Sequence, residues 1–509
     1  MNIMNIMKTI NTTNMLNTYI GQKGYTIYKD GLSLQQQNFI RTELTAKPYT
    51  PGISGGGGQQ NNTFPIYRES NQKFYVPRYF GEQTFGKAKE TRISEGTDIN
   101  VPFLGELRDN QRPVVSTYIN HIEKNGNTGG GLLELPCAFG KTCLALYICS
   151  VLKKKTLIIV HKEFLLNQWV ERIQQFLPNA KVGRIQGQIV DIENKDIVIG
   201  MLQSLSMKDY PESTFDSFGL TIIDEVHHIS SEVFSCALFK LVTKYTLGLS
   251  ATMNRKDGTT KVFKMFLGDV IFKGKRDQDH DVVVRAIEYS GADSEFKRVA
   301  TDFRGNVQYS TMISKLCAYN NRSEFILRIV TDMLKENPEQ QIMILAHNRC
   351  LLTYFHDAIS ARNIASVGYY VGGMKEHALK ESESKKVIVA SYAMAAEGLD
   401  IKSLTTLIMA TPKTDIEQSV GRILRERHGT PVVVDIIDEH VPFKNQWNKR
   451  KVFYKKQHYK IIQTNSAEYD PDIRFWKHVS CSKKKEAPTS EEQLLQTCFI
   501  KLPKSEKKK

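Results

Sequence analysis

The segment GLLELPCAFGKTCLALYICSVL, residues 131–152, decides the fold. It begins with an apolar run typical of a buried strand, passes through a short loop containing Gly140, and ends in ten residues that favour a helix. A loop between a strand and a helix can direct backbone N–H groups at a phosphate, and Lys141 and Thr142 offer a cation and a hydroxyl to phosphate and Mg²⁺. A literal phosphate-binding loop has Gly where Leu135 stands, so this segment alone also fits an ordinary turn.

A second segment, TIIDEVH at residues 221–227, makes the first one informative. It predicts an apolar strand that ends in two carboxylates, Asp224 and Glu225. At the carboxyl edge of a sheet, Asp224 can bind Mg²⁺ and Glu225 can polarise an attacking water. Paired acids at a strand end are also common as surface charges. Because Lys141 precedes them at the spacing of alternating strands and helices, we interpret Lys141, Asp224 and Glu225 as catalytic residues.

Short β-branched runs alternate with helical stretches twice along the chain. Such runs are typical of strands buried on both faces of a parallel sheet. They lie at residues 156–160, 197–199, 220–223 and 245–249, and then at residues 342–346, 386–390, 405–409 and 431–437. The fold class predicted is α/β, with two tandem domains of parallel sheet flanked by helices.

The domain boundaries follow from changes in composition. We expect an N-terminal α+β accessory domain, two α/β domains, a less regular connector between them and a basic C-terminal extension. In order, these are residues 1–104 with a Gly-rich loop at 51–62, residues 105–275, the connector at 276–320, residues 321–440, and residues 441–509.

Composition and charge exclude several classes of protein. The 509 residues are 41% apolar and 24% charged, which fits globular cores and excludes a disordered scaffold. No run of about 18 apolar residues and no secretory h-region is present, so we expect a soluble protein without a membrane span. The eight cysteines form no CxxC pair and predict neither a zinc module nor a disulfide framework. A formal net charge of +15 favours a polyanionic partner, with nucleic acid the leading candidate.

Two stretches mix aromatic and basic residues, and each has two interpretations. Residues 64–85, FPIYRESNQKFYVPRYFGEQTF, could stack bases and contact phosphates, or could pack the core of a small β-rich domain. Residues 443–460, FKNQWNKRKVFYKKQHYK, contain seven cations and no acid. They fit a helix on a DNA backbone, and nearly as well a helix with a charged solvent face and a packed aromatic stripe.

The segments LPCAFGKT and DEVH together resemble the ATPase core of superfamily 2 helicases, and further motifs of that superfamily follow in order. The resemblance covers about residues 105–440 and implies two RecA-like domains that use ATP and Mg²⁺. The matching segments are LRDNQ (107–111), TLIIVHKEFLLNQW (156–169), IGMLQSL (199–205), LSAT (249–252), IMILAHN (342–348), EGLD (397–400) and QSVGRILRE (418–426).

The resemblance also implies roles for residues that spacing alone does not assign. Gln111 would read adenine, Asp400 would approach the ribose, and Thr142 and Asp224 would hold Mg²⁺. The phosphate loop comprises Leu135, Pro136, Cys137, Ala138, Phe139, Gly140, Lys141 and Thr142. Coupling residues are His227, Ser250, Ala251 and Thr252, and residues facing nucleic acid are Lys162, Gln203, Ser204 and Asn348. Trp169 falls on the apolar face of a helix and is expected in the core.

Motif VI makes physical sense by itself. On a continuous helix, Gln418, Arg422 and Arg425 are at positions i, i+4 and i+7 and share one face. An amide and two guanidinium groups on one face can converge on a γ-phosphate, so all three are predicted catalytic residues. A solvated basic face is the plainer alternative.

Within the superfamily, the sequence is similar to XPB-type translocases, the phage UvsW helicase and the helicases of large cytoplasmic DNA viruses, the asfarvirus member most of all. The segments that carry this similarity are LPC (135–137), NQW (167–169), RKDG (255–258) and the N-terminal FYVPRYFG (74–81). The viral resemblance implies transcript release, or replication and repair, in a viral factory of the host cytoplasm.

The function predicted is ATP-driven movement on nucleic acid, with DNA the expected track and RNA an alternative. A duplex translocase that separates no strands shares the same motifs. A nucleic-acid-binding subunit with a weakened ATP site is a further alternative, because Ala138 stands where these families usually have Gly. A motor subunit of an endonuclease would need a separate carboxylate cluster, which the terminal regions lack.

Overall fold

The computed structural model describes residues 16–48, 63–136, 139–230, 232–253, 258–274, 281–397, 401, 403–424 and 429–480. The chain forms two compact units. The first comprises Met1–Asp277 with Met374–Lys380 and Ala393–Ile401, and the second comprises Gln278–Gly373, Glu381–Tyr392 and Lys402–Lys509. Within the part of the chain that the structure describes, no helix is both long and apolar enough to cross a membrane.

The first unit is built on an eight-stranded sheet that is parallel except at one edge. Its strand order is β11-β10-β12-β9-β13-β14-β8-β15, and only β11 runs antiparallel. The strands are β8 (Gly129–Glu134), β9 (Thr156–Val160), β10 (Val182–Gln186), β11 (Ile189–Val190), β12 (Ile197–Met201), β13 (Leu220–Asp224), β14 (Tyr245–Ser250) and β15 (Val270–Lys273). The helices are α3 (Arg112–Lys124), α4 (Lys141–Leu152), α5 (Glu163–Phe176), α6 (Leu202–Met207), α7 (Glu232–Leu238) and α8 (Thr260–Leu267).

The apolar runs of the sequence become the central strands of this sheet. β9 and β12 are buried at all five positions, as expected of strands covered by helices on both faces. The pairing register aligns Asp224 with Leu249, and Ser250 with Glu134. The carboxyl ends of β13, β14 and β8 therefore meet at one edge, which brings together residues from three separate motifs.

A five-stranded mixed sheet precedes the large one and shares its core. Its strand order is β5-β6-β2-β1-β7. Ile27, Phe74 and Phe80 are buried in the same apolar cluster as Leu157 and Ile223 of the large sheet, so the described part of the N-terminal region shares a core with that sheet. The elements are β1 (Thr18–Gly21), β2 (Gly24–Tyr28), α1 (Leu34–Glu43), β3 (Thr45–Ala46), β4 (Phe64–Pro65), β5 (Arg68–Glu69), β6 (Lys73–Val76), α2 (Arg78–Phe85) and β7 (Glu90–Thr91), with β3 and β4 paired as a separate hairpin.

The second unit contains another eight-stranded sheet, parallel except for its last strand. The order is β18-β19-β17-β20-β21-β16-β22-β23, and β23 is antiparallel. The strands are β16 (Val283–Tyr289), β17 (Gln341–Ala346), β18 (Val367–Tyr370), β19 (Val387–Ser391), β20 (Leu404–Met409), β21 (Val432–Asp438), β22 (Lys460–Asn465) and β23 (Lys477–Ser480). The helices are α9 (Ser294–Lys297), α10 (Tyr309–Ala318), α11 (Asn320–Glu336), α12 (Arg349–Ala361), α13 (Glu376–Glu383), α14 (Tyr392–Glu397), α15 (Glu417–Val420) and α16 (Val441–Lys456).

Two predicted segments have more structure than their composition indicated. The connector, residues 276–320, contributes β16, which lies inside the sheet between β21 and β22. The C-terminal extension, residues 441–509, contributes α16 and the strands β22 and β23. Composition concealed the last two strands because β23 is the edge strand and only Ile461 and Ile462 of its neighbour β22 are buried, so neither has an unbroken apolar run.

The basic segment 443–460 contains most of the helix α16, and the structure shows the packed aromatic stripe of one interpretation. Phe443, Trp447 and Tyr454 are buried on one face, with Arg450 between them. The lysines at positions 444, 449, 455 and 456 are exposed on the other side. These exposed lysines fit a charged solvent face and a DNA backbone alike, so contact of this helix with DNA stays a prediction.

Candidate functional site

The loop after β8 has the strand, turn and helix order that the sequence predicts. Gly140 adopts a left-handed conformation, with φ of 87° and ψ of 40°, immediately before α4 begins at Lys141. Leu135 is fully buried, so only its backbone can face a ligand. Cys137 and Ala138 lie outside the described residues.

Gln111 does not present a free amide for adenine in this structure. It is 2% exposed, its Nε2 donates to the Phe139 carbonyl at 2.8 Å, and its Oε1 accepts from the Arg108 backbone N–H at 3.0 Å. The Arg108 guanidinium donates to the same carbonyl at 2.5 Å. A Cβ at Gly140 would lie 2.5 Å from Gln111 Nε2, so the glycine is required both for its φ and for this close contact. Gln111 thus holds the phosphate loop in shape.

Lys141 and Glu225 form an ion pair at the centre of the site. The Lys141 Nζ lies 2.9 Å from Glu225 Oε1, and each side chain is 16% exposed. Lys141 is the first residue of α4, and Glu225 follows the last residue of β13. The pair confirms that the loop and the acidic strand end lie side by side, as their spacing predicts.

Asp224 is half-buried beside this pair and is held by two hydrogen bonds. The indole Nε1–H of Trp169 donates to Oδ2 at 3.1 Å, and the Glu225 backbone N–H donates to Oδ1 at 3.0 Å. Burial raises the pKa of Asp224, the negative charge of Glu225 raises it further, and the Lys141 ammonium opposes both. The Asp224 carboxylate is therefore a costly charge that a cation would stabilise.

Trp169 has a role that sequence reasoning missed. It is 1% exposed on α5, so the prediction that it belongs to the core is confirmed. Its indole N–H nevertheless reaches Asp224 across the sheet edge. The signal was present in the sequence, because a buried Trp requires a partner for its N–H, but the sequence alone did not say which acceptor it would meet.

The backbone of Glu225 is also unusual. Its φ of 49° is left-handed, a conformation that costs a residue with a Cβ about 1–2 kcal/mol. Its Oε2 lies 3.4 Å from the Ser250 hydroxyl and 3.4 Å from His227 Nδ1. Strained residues of this kind cluster at functional sites because the surrounding contacts hold them in place.

Three of the predicted coupling residues are joined through Ser250. Its Oγ lies 3.1 Å from His227 Nδ1, donates to the Thr252 carbonyl at 2.8 Å, and accepts from the Thr252 backbone N–H at 3.3 Å. Ala251 lies between them and is buried. Glu225 is therefore connected through one hydroxyl to both His227 and the segment after β14.

A stack of three imidazoles extends from this network toward the end of β9. The ring centroids of His227 and His228 are 4.2 Å apart, and those of His228 and His161 are 3.8 Å apart at an interplanar angle of 27°. The backbone carbonyl of His161 accepts from Gln203 Nε2 at 3.3 Å.

The predicted nucleic-acid residues fall into three settings. Lys162 and Gln203 lie at the ends of β9 and β12, joined through His161. Ser204 accepts from the Gly187 backbone N–H at 2.9 Å, which indicates a structural role for its hydroxyl. Asn348 precedes α12 in the second unit, where its amide donates to Ser314 Oγ at 3.5 Å.

Motif VI does not form the continuous α-helix that its spacing required. The helix α15 ends at Val420, and residues 421–424 form a 3₁₀ turn. Because a 3₁₀ turn has about three residues per turn, positions i and i+4 no longer share a face. The one-face argument was therefore wrong for Gln418 and Arg422, of which Gln418 is half-buried and Arg422 is buried. Arg425 and Asp400 lie outside the described residues.

The comparisons with known proteins agree with this geometry. Residues 104–255 match the family model described as the res subunit of type III restriction enzymes. A protein of Acanthamoeba polyphaga mimivirus, named as a candidate ATP-dependent RNA helicase, is 34% identical over 460 residues that cover 88% of this chain and 87% of its own. The chain belongs to the viral superfamily 2 helicases.

Further relatives fit this assignment. A protein of the same name from African swine fever virus (isolate Pig/Kenya/KEN-50/1950) is 28% identical over 374 residues, which cover 68% of this helicase-family chain and 73% of its own. The asfarvirus resemblance is thus real, but the mimivirus protein is more similar. The structure of S. cerevisiae Dbp5 bound to RNA and ADP BeF3 shares the fold, with a TM-score of 0.51 and 11% identity over 73% of this chain and 93% of that one.

Proposed function

We propose that the protein hydrolyses ATP and uses the energy to move along nucleic acid. The observation that carries this proposal is the contact of Lys141 with Glu225 beside the half-buried Asp224, next to a loop shaped by Gly140. Phosphoryl transfer from a nucleotide requires a cation, a base and a carboxylate that binds a metal ion. Lys141, Glu225 and Asp224 provide these three groups. The fold and the helicase relatives support the same reading.

In the proposed reaction, Lys141 exchanges its Glu225 partner for the β- and γ-phosphates of ATP. Glu225 then orients a water toward the γ-phosphorus and accepts its proton, while the bond from phosphorus to the β–γ bridging oxygen breaks and ADP leaves. The Lys141–Glu225 pair keeps both groups in position. Binding of the phosphates by Lys141 would thereby release the Glu225 carboxylate beside the attacking water.

The donor set at the strand end fits Mg²⁺. The Asp224 carboxylate and the Thr142 hydroxyl are oxygen ligands, and Mg²⁺ is ordinarily held by one or two carboxylates together with substrate phosphates and water. A bound Mg²⁺ would offset the phosphate charge and stabilise the ionised form of Asp224. Trp169 and the Glu225 backbone N–H keep that carboxylate oriented.

Several residues enter the proposal from the family resemblance. We assign Gln418, Arg422 and Arg425 to the γ-phosphate and Asp400 to the ribose. Pro136 and Phe139, with the loop residues between them, are assigned to the phosphates through their backbone. Gln111 is assigned to the loop as well as to adenine, because its amide already supports the Phe139 carbonyl.

Coupling to the track is assigned to the network around Ser250. Glu225 and His227 both contact its hydroxyl, and the imidazole stack continues to His161, whose carbonyl binds Gln203. Lys162, Gln203, Ser204 and Asn348 are proposed to face the nucleic acid. A change at the γ-phosphate can then be felt at the predicted track through contiguous packed groups.

For the track we propose DNA, and for the biological setting viral transcript release, or replication and repair, in the host cytoplasm. The net charge of +15 supports a polyanionic partner. The two viral relatives are named for RNA, so RNA is the second substrate to test.

The decisive experiment is steady-state ATP hydrolysis by the full chain, alone and with single-stranded DNA, duplex DNA and RNA, beside a Glu225→Gln variant. We expect nucleic acid to stimulate turnover and Glu225→Gln to abolish it while ATP binding persists. Absence of hydrolysis in the wild type, with nucleic-acid binding intact, would overturn the motor assignment and favour a binding subunit. A strand-displacement assay on forked duplexes then separates a helicase from a translocase that moves on duplex only.

A further inference from the structure

The outer face of the five-stranded sheet carries a row of tyrosines and cations. Strand register places Tyr19 opposite Thr26, and Thr26 opposite Tyr75, while Tyr28 pairs with Lys73. Because side chains alternate along a strand, all five residues lie on the same face. The opposite face carries the buried residues Ile20, Tyr25, Ile27, Phe74 and Val76.

Cations and rings alternate across this surface. Arg92 lies 4.0 Å from the ring centroid of Tyr19, and Lys73 lies 5.4 Å from Tyr19 and 4.6 Å from Tyr28. Lys23, in the turn between β1 and β2, lies 5.7 Å from the ring of Tyr75. We call the residues Tyr19, Tyr28, Lys73, Tyr75 and Arg92 the tyrosine face.

The rings of the tyrosine face lie along the sheet and are half-exposed. A Cβ added at Gly21 would approach Tyr19 Cε2 to 3.2 Å, so the glycine leaves room for the ring to lie across the strand. The rings cover Thr26, which is 1% exposed, and its hydroxyl has no hydrogen-bond partner among the described residues. The charge of the face is positive, because Glu90 is its one acid within the described strands and is paired with Arg92 at 2.6 Å.

From this arrangement we propose that the tyrosine face binds single-stranded nucleic acid outside the motor motifs. Flat aromatic rings stack on bases of any sequence, and cations between them neutralise the phosphates that link those bases. An ammonium or guanidinium over an exposed ring is a weak contact, so a base and a phosphate can replace it with two better ones. The inference rests on the proposed function, since it gives the motor a second hold on its track.

The sequence had suggested this role for the wrong residues. Of the stretch 64–85, Phe74 and Phe80 are buried in the core, and only Lys73 and Tyr75 reach the tyrosine face. Tyr19, Tyr28 and Arg92 join them from strands that lie far away in the sequence. Core residues and residues of the tyrosine face therefore alternate along β6, as the two-residue period of a strand dictates.

The test is fluorescence anisotropy of labelled dT20 and rU20 with the full chain, without nucleotide. Changing either Tyr19 or Tyr28 to Leu should weaken binding by about 5- to 100-fold, because one stacked base is lost in each variant. Changing Lys73 and Arg92 to Gln should lower the slope of log affinity against log salt by about 1.4, for two phosphates on a single strand. The DNA and RNA probes show whether the ribose matters to this face.

Two controls keep the result interpretable. The pair Phe303→Leu with Arg304→Gln removes an exposed ring and cation, 5.0 Å apart, from the second unit, and should change affinity by less than about two-fold. Tyr19→Phe keeps the ring and should bind the probes as the wild type does. A merely structural defect in Tyr19→Leu would lower the midpoint temperature of thermal unfolding.

Two outcomes overturn the proposal: unchanged affinity and unchanged salt slope in folded variants, or equal losses in the Phe303 and Arg304 control. Hydrolysis of ATP without nucleic acid should be the same in all variants. Failure of the wild type to hydrolyse ATP would instead count against the proposed function, and the binding comparison would stand independently.

Discussion

Both large sheets carry acids at the carboxyl end of a central strand, and the two sites are built in opposite ways. In the first unit, the Lys141 ammonium contacts Glu225 beside Asp224, and the Lys141 and Glu225 side chains are each 16% exposed. In the second unit, Asp435 and Asp438 each face their own arginine and are fully buried. The first site keeps its charges available to a ligand, and the second closes them off.

The buried pairs of the second unit leave little hydrogen-bonding capacity unused. Arg322 donates to Asp438 at 2.6 and 2.9 Å and to the Ala410 carbonyl at 2.7 Å. Arg450 donates to Asp435 at 2.8 and 2.7 Å, and Tyr454 donates to the same carboxylate at 3.0 Å. Because two guanidinium N–H groups satisfy both oxygens of each acid, these pairs fix α11 and α16 on β21.

The difference teaches how to tell a reactive strand end from a structural one. A bidentate arginine pair without exposure is a finished contact, whereas a partly exposed lysine beside a strained acid can exchange partners. The burial-raised pKa of Asp224 supports this, because that carboxylate has no guanidinium partner among the residues that the structure describes and needs a cation.

The largest expected effect comes from matched substitutions of the two strand-end acids. Asp224→Asn should reduce ATP turnover about 10³-fold, because an amide no longer offers Mg²⁺ a charged ligand, a loss of several kcal/mol in the transition state. Its thermal midpoint should not fall, since a costly buried charge is removed. Turnover within tenfold of the wild type would contradict the assignment of Asp224.

Asp438→Asn should lower the stability of the fold and leave ATP turnover unchanged. Arg322 would keep a buried charge without its carboxylate, which destabilises a protein by about 3–5 kcal/mol. Urea unfolding followed by circular dichroism measures this, and basal turnover per folded molecule should remain near that of the wild type. The double change Arg322→Met with Asp438→Leu should recover most of the loss, and if it does not, the pair is not the cause.

A smaller effect is expected from two of the buried tryptophans, Trp169 in the first unit and Trp447 in the second. Trp169→Phe removes the N–H donor of Asp224, and a hydrogen bond to a charged group is worth about 1.5–3 kcal/mol, so turnover should fall about 10- to 100-fold. Trp447→Phe, in α16, should affect stability alone. Equal activity of the two variants in a steady-state assay would show that the indole of Trp169 only fills space.

The smallest effect is expected at an exposed pair. The Arg362 guanidinium, and then the Tyr354 hydroxyl, lower the pKa of Glu324 to about 2, but both charged side chains are more than 40% exposed. Solvent screening should limit the loss in Arg362→Met to below about 1 kcal/mol.

The pH dependence of that pair has a definite sign. A carboxyl group with a lowered pKa stabilises the fold above its ordinary pKa, and this contribution is lost as the pH falls through about 2. The urea midpoints of Arg362→Met and the wild type should therefore differ more at pH 6 than at pH 3.5. A difference that grows on acidification would contradict the pairing.

Local patterns predicted the strands well. The run at residues 156–160 coincides with β9, and those at 220–223 and 245–249 agree with β13 and β14 to within one residue. Strands buried on both faces require unbroken apolar runs, so their sequences carry a strong signal. The edge strand β23 and its neighbour β22, which is buried only at Ile461 and Ile462, lack such a run, and composition did not reveal them.

The site was predictable where it depends on strand ends and much less where it depends on side-chain packing. The alignment of β13, β14 and β8 brings Asp224 and Ser250 to the loop at Lys141, as any parallel sheet would. By contrast, the Gln111 contact to Phe139 and the break of motif VI at Gly421 depend on local packing.

The amino-acid sequence by itself determined the two α/β sheets, the order of the motif residues, and the lysine and acids of the proposed ATP site. Each of these depends on apolar periodicity or on the residues at a strand end, which are close together in the sequence. Only the tertiary structure decided which acids are sealed by arginines, that Trp169 holds Asp224, and that tyrosines from separate strands share one face. The physical reason is that burial and partner choice arise from residues far apart in the chain, whose contacts are fixed only when the sheets have formed.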